Sequence, residues 1–452
     1  MRSALLPAFL VAAGCAAGGT RPPVPLDPPG LPPGRAAEPP AGVAPVDREW
    51  FPVDAATVEV LAGERSLDVR AVRAAQEGAE AAADQAGLAL WPSLRPHARF
   101  YRLEGLTQGT DGTFEEVEKQ NETAGSGVVL DLDAVAARAR ILASRRRRDA
   151  AGLASEAARR AAVLEAEERL DDLLASQNEI AIAREALEGF RAAADFERSR
   201  EASGAGLRAD RMVAEAREEE ARGDVIRAGQ AFRDASARLA TSLHVDPRTT
   251  LFVPDPEVPT LRRVPDLADL GALVAEALAR RPEIGEAVLL AEASGEEASA
   301  ARAAPFVPRL VASADLDGFG PTFGRLQERR QYAVGLEWTL ALEDLGKDRG
   351  ARARVERADV ETARRRQAVV EAVVRNREAL RAAGEAVESA RKRLEASLEA
   401  ERLVSERRRA GSALLVEELE ARRQVGLARR GLLSALLARN RADRRLAFAL
   451  GR

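Results

Sequence analysis

A mainly α-helical chain with a small β part, built as an internal duplication, is the fold class that the sequence predicts. Three observations lead there. The composition suits long helices, each half contains two stretches that switch to a period of two, and the chain resembles itself at an offset of 207 positions (411 minus 204).

Charged residues fill 31% of the 452 positions and aromatic residues only 4%, with Ala, Arg, Glu and Leu dominant. Phe, Tyr and Trp normally give a compact core its bulk, so Ala, Leu and Val must do the packing, as in long helices and coiled coils. The net charge of −4 creates no global field that would recruit nucleic acid. One cysteine rules out a disulfide within the chain, and two His with two Met leave few ligands for a metal site. No run approaches the roughly 18 apolar residues of a spanning helix, so a membrane crossing would have to be a barrel.

The chain opens as a signal peptide over residues 1–14, with Arg2, an apolar run from Ala4 and the small residues Ala12, Ala13 and Gly14. Small residues before a lone cysteine resemble a bacterial lipobox, which implies acylation of Cys15. Ala12 stands where that pattern prefers Leu, and the plainer alternative is an incidental cysteine after an ordinary signal. Acyl chains anchor by about 0.8 kcal/mol per buried CH₂. Ala16, in place of Asp, resembles the lipoproteins sorted to the outer membrane. Residues 15–50 are then the anchor cysteine and a Pro/Gly-rich, extended tether.

Two structural repeats follow, 51–255 and 256–452. Gly204, Leu207, Asp210, Met212, Ala214, Ala235, Leu239 and Leu243 fall on Gly411, Leu414, Glu417, Leu419, Ala421, Ala442, Leu446 and Leu450 without a gap. Each half also has a helical stretch before a Pro-x-Leu, Ser66–Leu90 before Pro92/Leu94 and Arg281–Ala304 before Pro308/Leu310. After the prolines the pattern alternates: Val128, Leu130 and Leu132 on one side, then Leu310, Ala312, Ala314 and Leu316, then Tyr332, Val334, Leu336, Trp338 and Leu340. Such strands fit a membrane barrel or an ordinary half-buried sheet equally well on alternation alone. Four strands cannot close a barrel, so closure demands further copies of the chain. A helix of roughly 70 residues follows from Asp133 to Ala202, about 100 Å long at about 1.5 Å per residue, with apolar residues at 3-4 spacing.

Together these features resemble the TolC-like outer-membrane efflux protein family, most specifically in Gly411, Glu417, Leu419 and Ala421 and their counterparts Gly204, Asp210, Met212 and Ala214. The resemblance implies a homotrimer: a trimeric α-helical barrel joined to a twelve-stranded membrane β-barrel with four strands per protomer. It implies a passive outer-membrane exit duct of a tripartite system, with a periplasmic adaptor and an inner-membrane pump as partners, outer-membrane lipid around the barrel, no cofactor and no catalysis. Carried over by position, Gly204, Leu207, Asp210, Gly411 and Leu414 are the adaptor-docking tips, and Glu417 and Glu420 ring the periplasmic aperture. The plainer reading makes Glu417 and Glu420 solvated carboxylates at a helix start. An Arg that some members carry in the tip turn is replaced by Ala209 and Ala413.

Arg145–Arg148 reads as a solvated or intersubunit face, with a lipid-headgroup contact as the alternative. His97 and His244 have no companions for catalysis. Arg222-Gly223-Asp224 falls inside a helix, and Asn121-Glu122-Thr123 in an external loop. The rival from another class is a periplasmic coiled-coil lipoprotein scaffold without channel activity, which explains helices and anchor but neither the repeat nor the strands.

Overall fold

The computed structural model describes residues 50–108, 110–265, 269–339 and 343–452. The signal peptide, Cys15 and the tether up to residue 49 lie outside them, and Trp50, read as the end of the tether, instead opens the first strand. In chain order the elements are β1 (Trp50–Pro52), α1 (Ala55–Arg65), α2 (Leu67–Leu88), β2 (Ser93–Gln108), β3 (Phe114–Leu132), α3 (Ala134–Ala202), α4 (Arg208–Ser242) and β4 (Thr250–Phe252), then α5 (Leu270–Arg280), α6 (Pro282–Ala303), β5 (Arg309–Gly320), β6 (Gln327–Glu337), α7 (Glu343–Arg409) and α8 (Leu415–Ala449). The long helices run 69 and 67 residues. They have no proline to break them, and Asp133 opens α3 by accepting from the Ala136 amide at 2.8 Å.

The duplication holds in burial as well as in sequence. At the offset of 207, Ala166, Leu173 and Ile180 of α3 match Val373, Leu380 and Val387 of α7, and all six are buried. At the ends of α4 and α8, His244 and Gly451 both take the left-handed conformation, φ 51° and 75°. Such a φ crowds the side chain of an L residue, so the second half uses glycine where the first holds a histidine.

Contacts divide the chain into two compact units, each drawn from both repeats. One takes the described residues up to Leu67 with Ala162–Leu261 and Ala382–Arg441; the other takes Asp68–Ala161, Arg262–Arg381 and Ala442–Arg452.

In the first unit, β1 and β4 pair in parallel, Phe51 opposite Leu251. Their side chains join Val58, Leu61, Leu173, Ile180, Phe232 and Leu239 in one apolar cluster. Trp50 stacks on Phe232 with ring centres 6.3 Å apart and meets Phe252 edge-on. Side-chain amides pin the segment between the repeats. Gln177 donates to the Val253 carbonyl at 2.8 Å and accepts from its amide at 3.1 Å. Asn440 does the same for Pro259 and Leu261, at 2.8 and 2.9 Å. Backbone groups that no sheet continues are thereby satisfied.

The second unit holds the sheet, antiparallel throughout in the order β2-β3-β5-β6. The two halves join at β3–β5, where Glu122–Leu132 runs against Gly320–Leu310. Register puts Leu94, Val128, Ala314 and Tyr332 side by side, so the alternating apolar sets of separate strands form a single face. Much of that face is exposed, with Tyr332 at 74% and Val334 at 80%. The last strand ends at Glu337, so Trp338 lies beyond it, and Leu340 is outside the described residues.

The first hairpin is the longer. β3 extends past Glu122, its last residue paired with β5, out to Phe114. Asn121 therefore sits in a strand and not in a loop, which corrects the expectation for the Asn121–Thr123 tripeptide. Arg222-Gly223-Asp224 lies within α4 as expected.

Candidate functional site

Two regions carry the features that the sequence singles out, the helix-turn tips and the sheet.

At each tip a long helix ends on a left-handed glycine, Gly204 at φ 75° and Gly411 at φ 77°. The same wrapped turn follows: Ala205 N–H donates to the Arg200 carbonyl at 2.9 Å, and Ser412 N–H to the Arg407 carbonyl at 2.9 Å. This is the left-handed glycine cap, which satisfies carbonyls the helix leaves open. Leu207 and Leu414 follow, both 67% exposed, immediately before α4 and α8. Asp210 and Glu417 occupy equivalent first turns, their amides bonded to the Leu207 and Leu414 carbonyls at 3.1 and 3.2 Å. Gly204, Leu207 and Asp210 are thus brought together at one turn, and Gly411, Leu414 and Glu417 at the other.

Glu420 sits one turn further on. Its carboxylate accepts from Arg423 at 3.0 Å and from Gln424 at 2.7 Å. Arg423 first and Gln424 second hold it below the usual carboxylate range. Glu417 has Arg407 at 3.9 Å.

Sequence reading missed the arginines of these turns. Arg200 donates to the Ala205 carbonyl at 3.0 Å, and Arg407 to the Ser412 carbonyl at 3.2 Å. Each comes from the preceding helix, four residues before the glycine in both repeats. That shared spacing was the available signal. Also missed was Glu197, 1% exposed, which binds Arg200 at 3.1 Å and Arg408 at 2.6 Å. Beside these residues, within the same unit, a cleft of about 440 Å³ is lined by Phe190, Glu401, Arg422 and Arg429.

The sheet's second face is polar. His97, Gly125, Asp317 and Arg329 stand in one row across all four strands. Asp317 has His97 Nε2 at 3.0 Å on one side and Arg329 at 3.0 Å on the other. Glycine is required between them, because a Cβ at position 125 would strike the Asp317 side chain. Of the arginine run, Arg146 and Arg147 pair with Glu292 and Glu297 of α6 at 3.1 and 2.6 Å, and Arg148 with Asp149 at 2.8 Å.

The second unit also contains a cleft of about 320 Å³, lined by Arg147, Glu286, Arg354, Arg357 and Arg365. Burial pushes the Glu286 carboxyl up, against the pull of Arg365. Among the described residues no His, Cys, Asp and Glu cluster could hold a metal, and no helix is long and apolar enough to cross a membrane.

A four-stranded sheet with an exposed apolar face, fed by two helices of nearly 70 residues, defines the class: this is the fold of outer-membrane channels. The structure matches the outer-membrane channel OprN with a TM-score of 0.77 and 21% identity, over 94% of this chain and 98% of that one. It matches the CmeC outer membrane channel of Campylobacter jejuni at 0.77 and 16% identity, over 94% of each chain. It matches the outer membrane protein VceC of Vibrio cholerae at 0.74 and 18%, over 88% and 96%. Comparison of the sequence with curated proteins finds no match. Residues 60–243 and 273–452 match the family described as outer membrane efflux protein, and the chain belongs to that family. Its function is that of an exit duct in the outer membrane, and family and fold are those of channels.

Proposed function

We propose that three copies of this chain close their sheets into one twelve-stranded barrel and their helices into a periplasmic tunnel. The observation that carries the reading is the sheet itself. Among the described residues β2 and β6 each have an unpaired edge, while Leu94, Tyr332, Val334 and Leu336 expose an apolar face. Open edges and a bare apolar face are costly in water. Joining β6 of one copy to β2 of the next removes both edges, and lipid covers the apolar face. The polar row of His97, Asp317 and Arg329 then lines the exit path. The duct conducts and does no chemistry.

On this reading Cys15 carries the acyl anchor, and the first and second repeats (51–255 and 256–452) alternate around the tunnel. The paired tips at Gly204–Asp210 and Gly411–Leu414 receive the helical hairpins of a periplasmic adaptor, which links the duct to an inner-membrane pump. Their exposed leucines suit packing against apolar helix faces. Glu417 and Glu420 contribute carboxylates to the aperture, where three copies of each favour cations. A scaffold without a channel would leave the sheet's edges and apolar face unexplained.

Imaging of single detergent-extracted particles tests the assembly. A hollow threefold cylinder with a short barrel at one end is expected; a monomer or a solid rod overturns the reading. Reversal potentials in planar bilayers test the aperture. Replacing both carboxylates, Glu417→Gln with Glu420→Gln, is expected to abolish cation preference. Because Arg423 and Gln424 hold the Glu420 carboxyl low, wild-type preference should persist into mild acid and fade only below the usual carboxylate range. Preference lost near neutral pH, or kept by the double variant, removes these residues from the aperture.

A further inference from the structure

The duplication makes a statement about the seams of the tunnel that the threefold reading alone does not. Within the first unit, α8 is fastened to α3 by a ladder of ion pairs along the two helices. Arg429 meets Glu185, Arg430 meets Glu179 at 2.6 Å and Arg441 meets Asp172 at 2.5 Å, while Arg408 at the end of α7 meets Glu197 at 2.6 Å. Leu415 and Leu419 pack beneath it on Phe190, Ala193 and Ala194. This seam joins the second repeat to the first.

The first repeat has the same surfaces without the covering. α4 corresponds to α8 and α7 to α3, both at the offset of 207. Met212 is 52% exposed where its counterpart Leu419 is 3% exposed, and Ile226 is 66% exposed. Between residues 388 and 409 of α7 no side chain is buried. The chain itself shows what fits: α4 receives what α8 receives, a helix of the α3/α7 kind. In a closed ring of copies the helix available is α7 of the next copy.

Transferring the ladder to that seam changes its chemistry. Subtracting 207 on one helix and adding it on the other sets Arg222 opposite Lys392, Gly223 opposite Ala386 and Asp234 opposite Ala379. None of the three is an ion pair of opposite sign, and one opposes two cations. Arg222 finds its carboxylates on its own helix, Glu218 at 3.1 Å and Glu219 at 2.9 Å. The neighbouring Glu388 of α7 is engaged by Arg391 at 3.0 Å.

We propose that α4 of one copy docks on α7 of the next with Arg222 facing Lys392, and that this unzipped seam parts when the periplasmic end widens. The α3–α8 seam stays closed, so each copy moves as one piece. The inference rests on the threefold assembly proposed above.

A charge-reversal cycle on the full-length protein in detergent tests it. Arg222→Glu and Lys392→Glu each convert the like-charged contact to an opposite pair. Each is expected to resist dissociation of the trimer more strongly, by up to about fivefold per seam for an exposed pair, and to lower conductance in bilayers. The double variant reverses both signs and restores like charges, so both readouts should return toward wild type, as a coupled pair requires. Lys392→Arg should change neither. Additive effects in the double variant, on particles that are still threefold, overturn the inference and leave the assembly standing. Wild-type particles without threefold symmetry overturn the assembly itself.

Discussion

The two tips share a backbone but carry opposite charges at three matched positions. The first carries Glu201, Arg211 and Glu215; at the same positions the second carries Arg408, Glu418 and Arg422. Every sign is reversed, while the left-handed glycine and the wrapped turn are unchanged. In the first tip Arg211 is held by Glu201 and by Glu215, the latter at 2.9 Å, all within one repeat. In the second, Arg422 pairs with Glu418 at 2.8 Å, and Arg408 turns instead to Glu197 of the other repeat. The difference teaches that the turn is specified by backbone conformation, and that its surface charges remain free to invert. Inversion released one arginine to tie the halves together.

Further along the same helices the halves diverge in the core as well, and this gives the largest expected effect. Phe232 is fully buried against Trp50 and the apolar cluster, whereas its counterpart Arg439 donates to the Leu261 carbonyl at 2.8 Å. Phe232→Ala should cost about 3–5 kcal/mol through lost burial and a cavity. Arg439→Ala should cost about 1.5–3 kcal/mol, the worth of a hydrogen bond to a charged group. Denaturant unfolding of the two variants measures the gap, and equal losses would deny that the halves pack differently here.

Next comes Glu197. Removing it as Glu197→Ala leaves Arg200 and Arg408 without their shared buried carboxylate, a loss of about 3 kcal/mol. Val404→Ala, at the counterpart, should cost no more than about 1.5 kcal/mol. Amide exchange at the two tips reads both, and the first variant should loosen the two tips together because Arg408 belongs to the second.

The smallest effect probes what the tips have in common. Gly204→Ala and Gly411→Ala should each cost about 1–2 kcal/mol, the penalty of a left-handed L residue. A Cβ at either glycine meets nothing within 4 Å, so the penalty is the backbone's alone and should be equal at both. Unequal losses in thermal unfolding would show that the turns are less alike than their hydrogen bonds.

The sequence by itself determined the features that rest on local conformation and on repetition. Helix lengths followed from Ala, Leu, Glu and Arg runs free of proline, and α3 begins and ends within a residue of the expected span. The tip glycines were legible because only glycine takes that φ without strain. The strands next to the long helices were legible where one face is apolar and the other polar. Where β2 and β3 project beyond β5 both faces are exposed, so no alternation marked them and the expected strands were too short. The short helices α1 and α5 were also not anticipated, lying inside each repeat ahead of the helical stretch read there.

Tertiary structure alone decided what depends on residues distant in sequence. Register placed the apolar sets of separate strands on one face, because each strand's alternation fixes two faces but not which face meets its neighbour's. The β1–β4 pair joins three-residue strands on either side of α4, too short for any periodicity to declare. Gln177 and Asn440 hold the inter-repeat segment through carboxamides that look like ordinary polar residues of a long helix. Glu197 and Arg408 meet from opposite repeats. Such contacts are selected by geometry after the helices have formed, and a one-dimensional pattern records only what neighbours along the chain impose on one another.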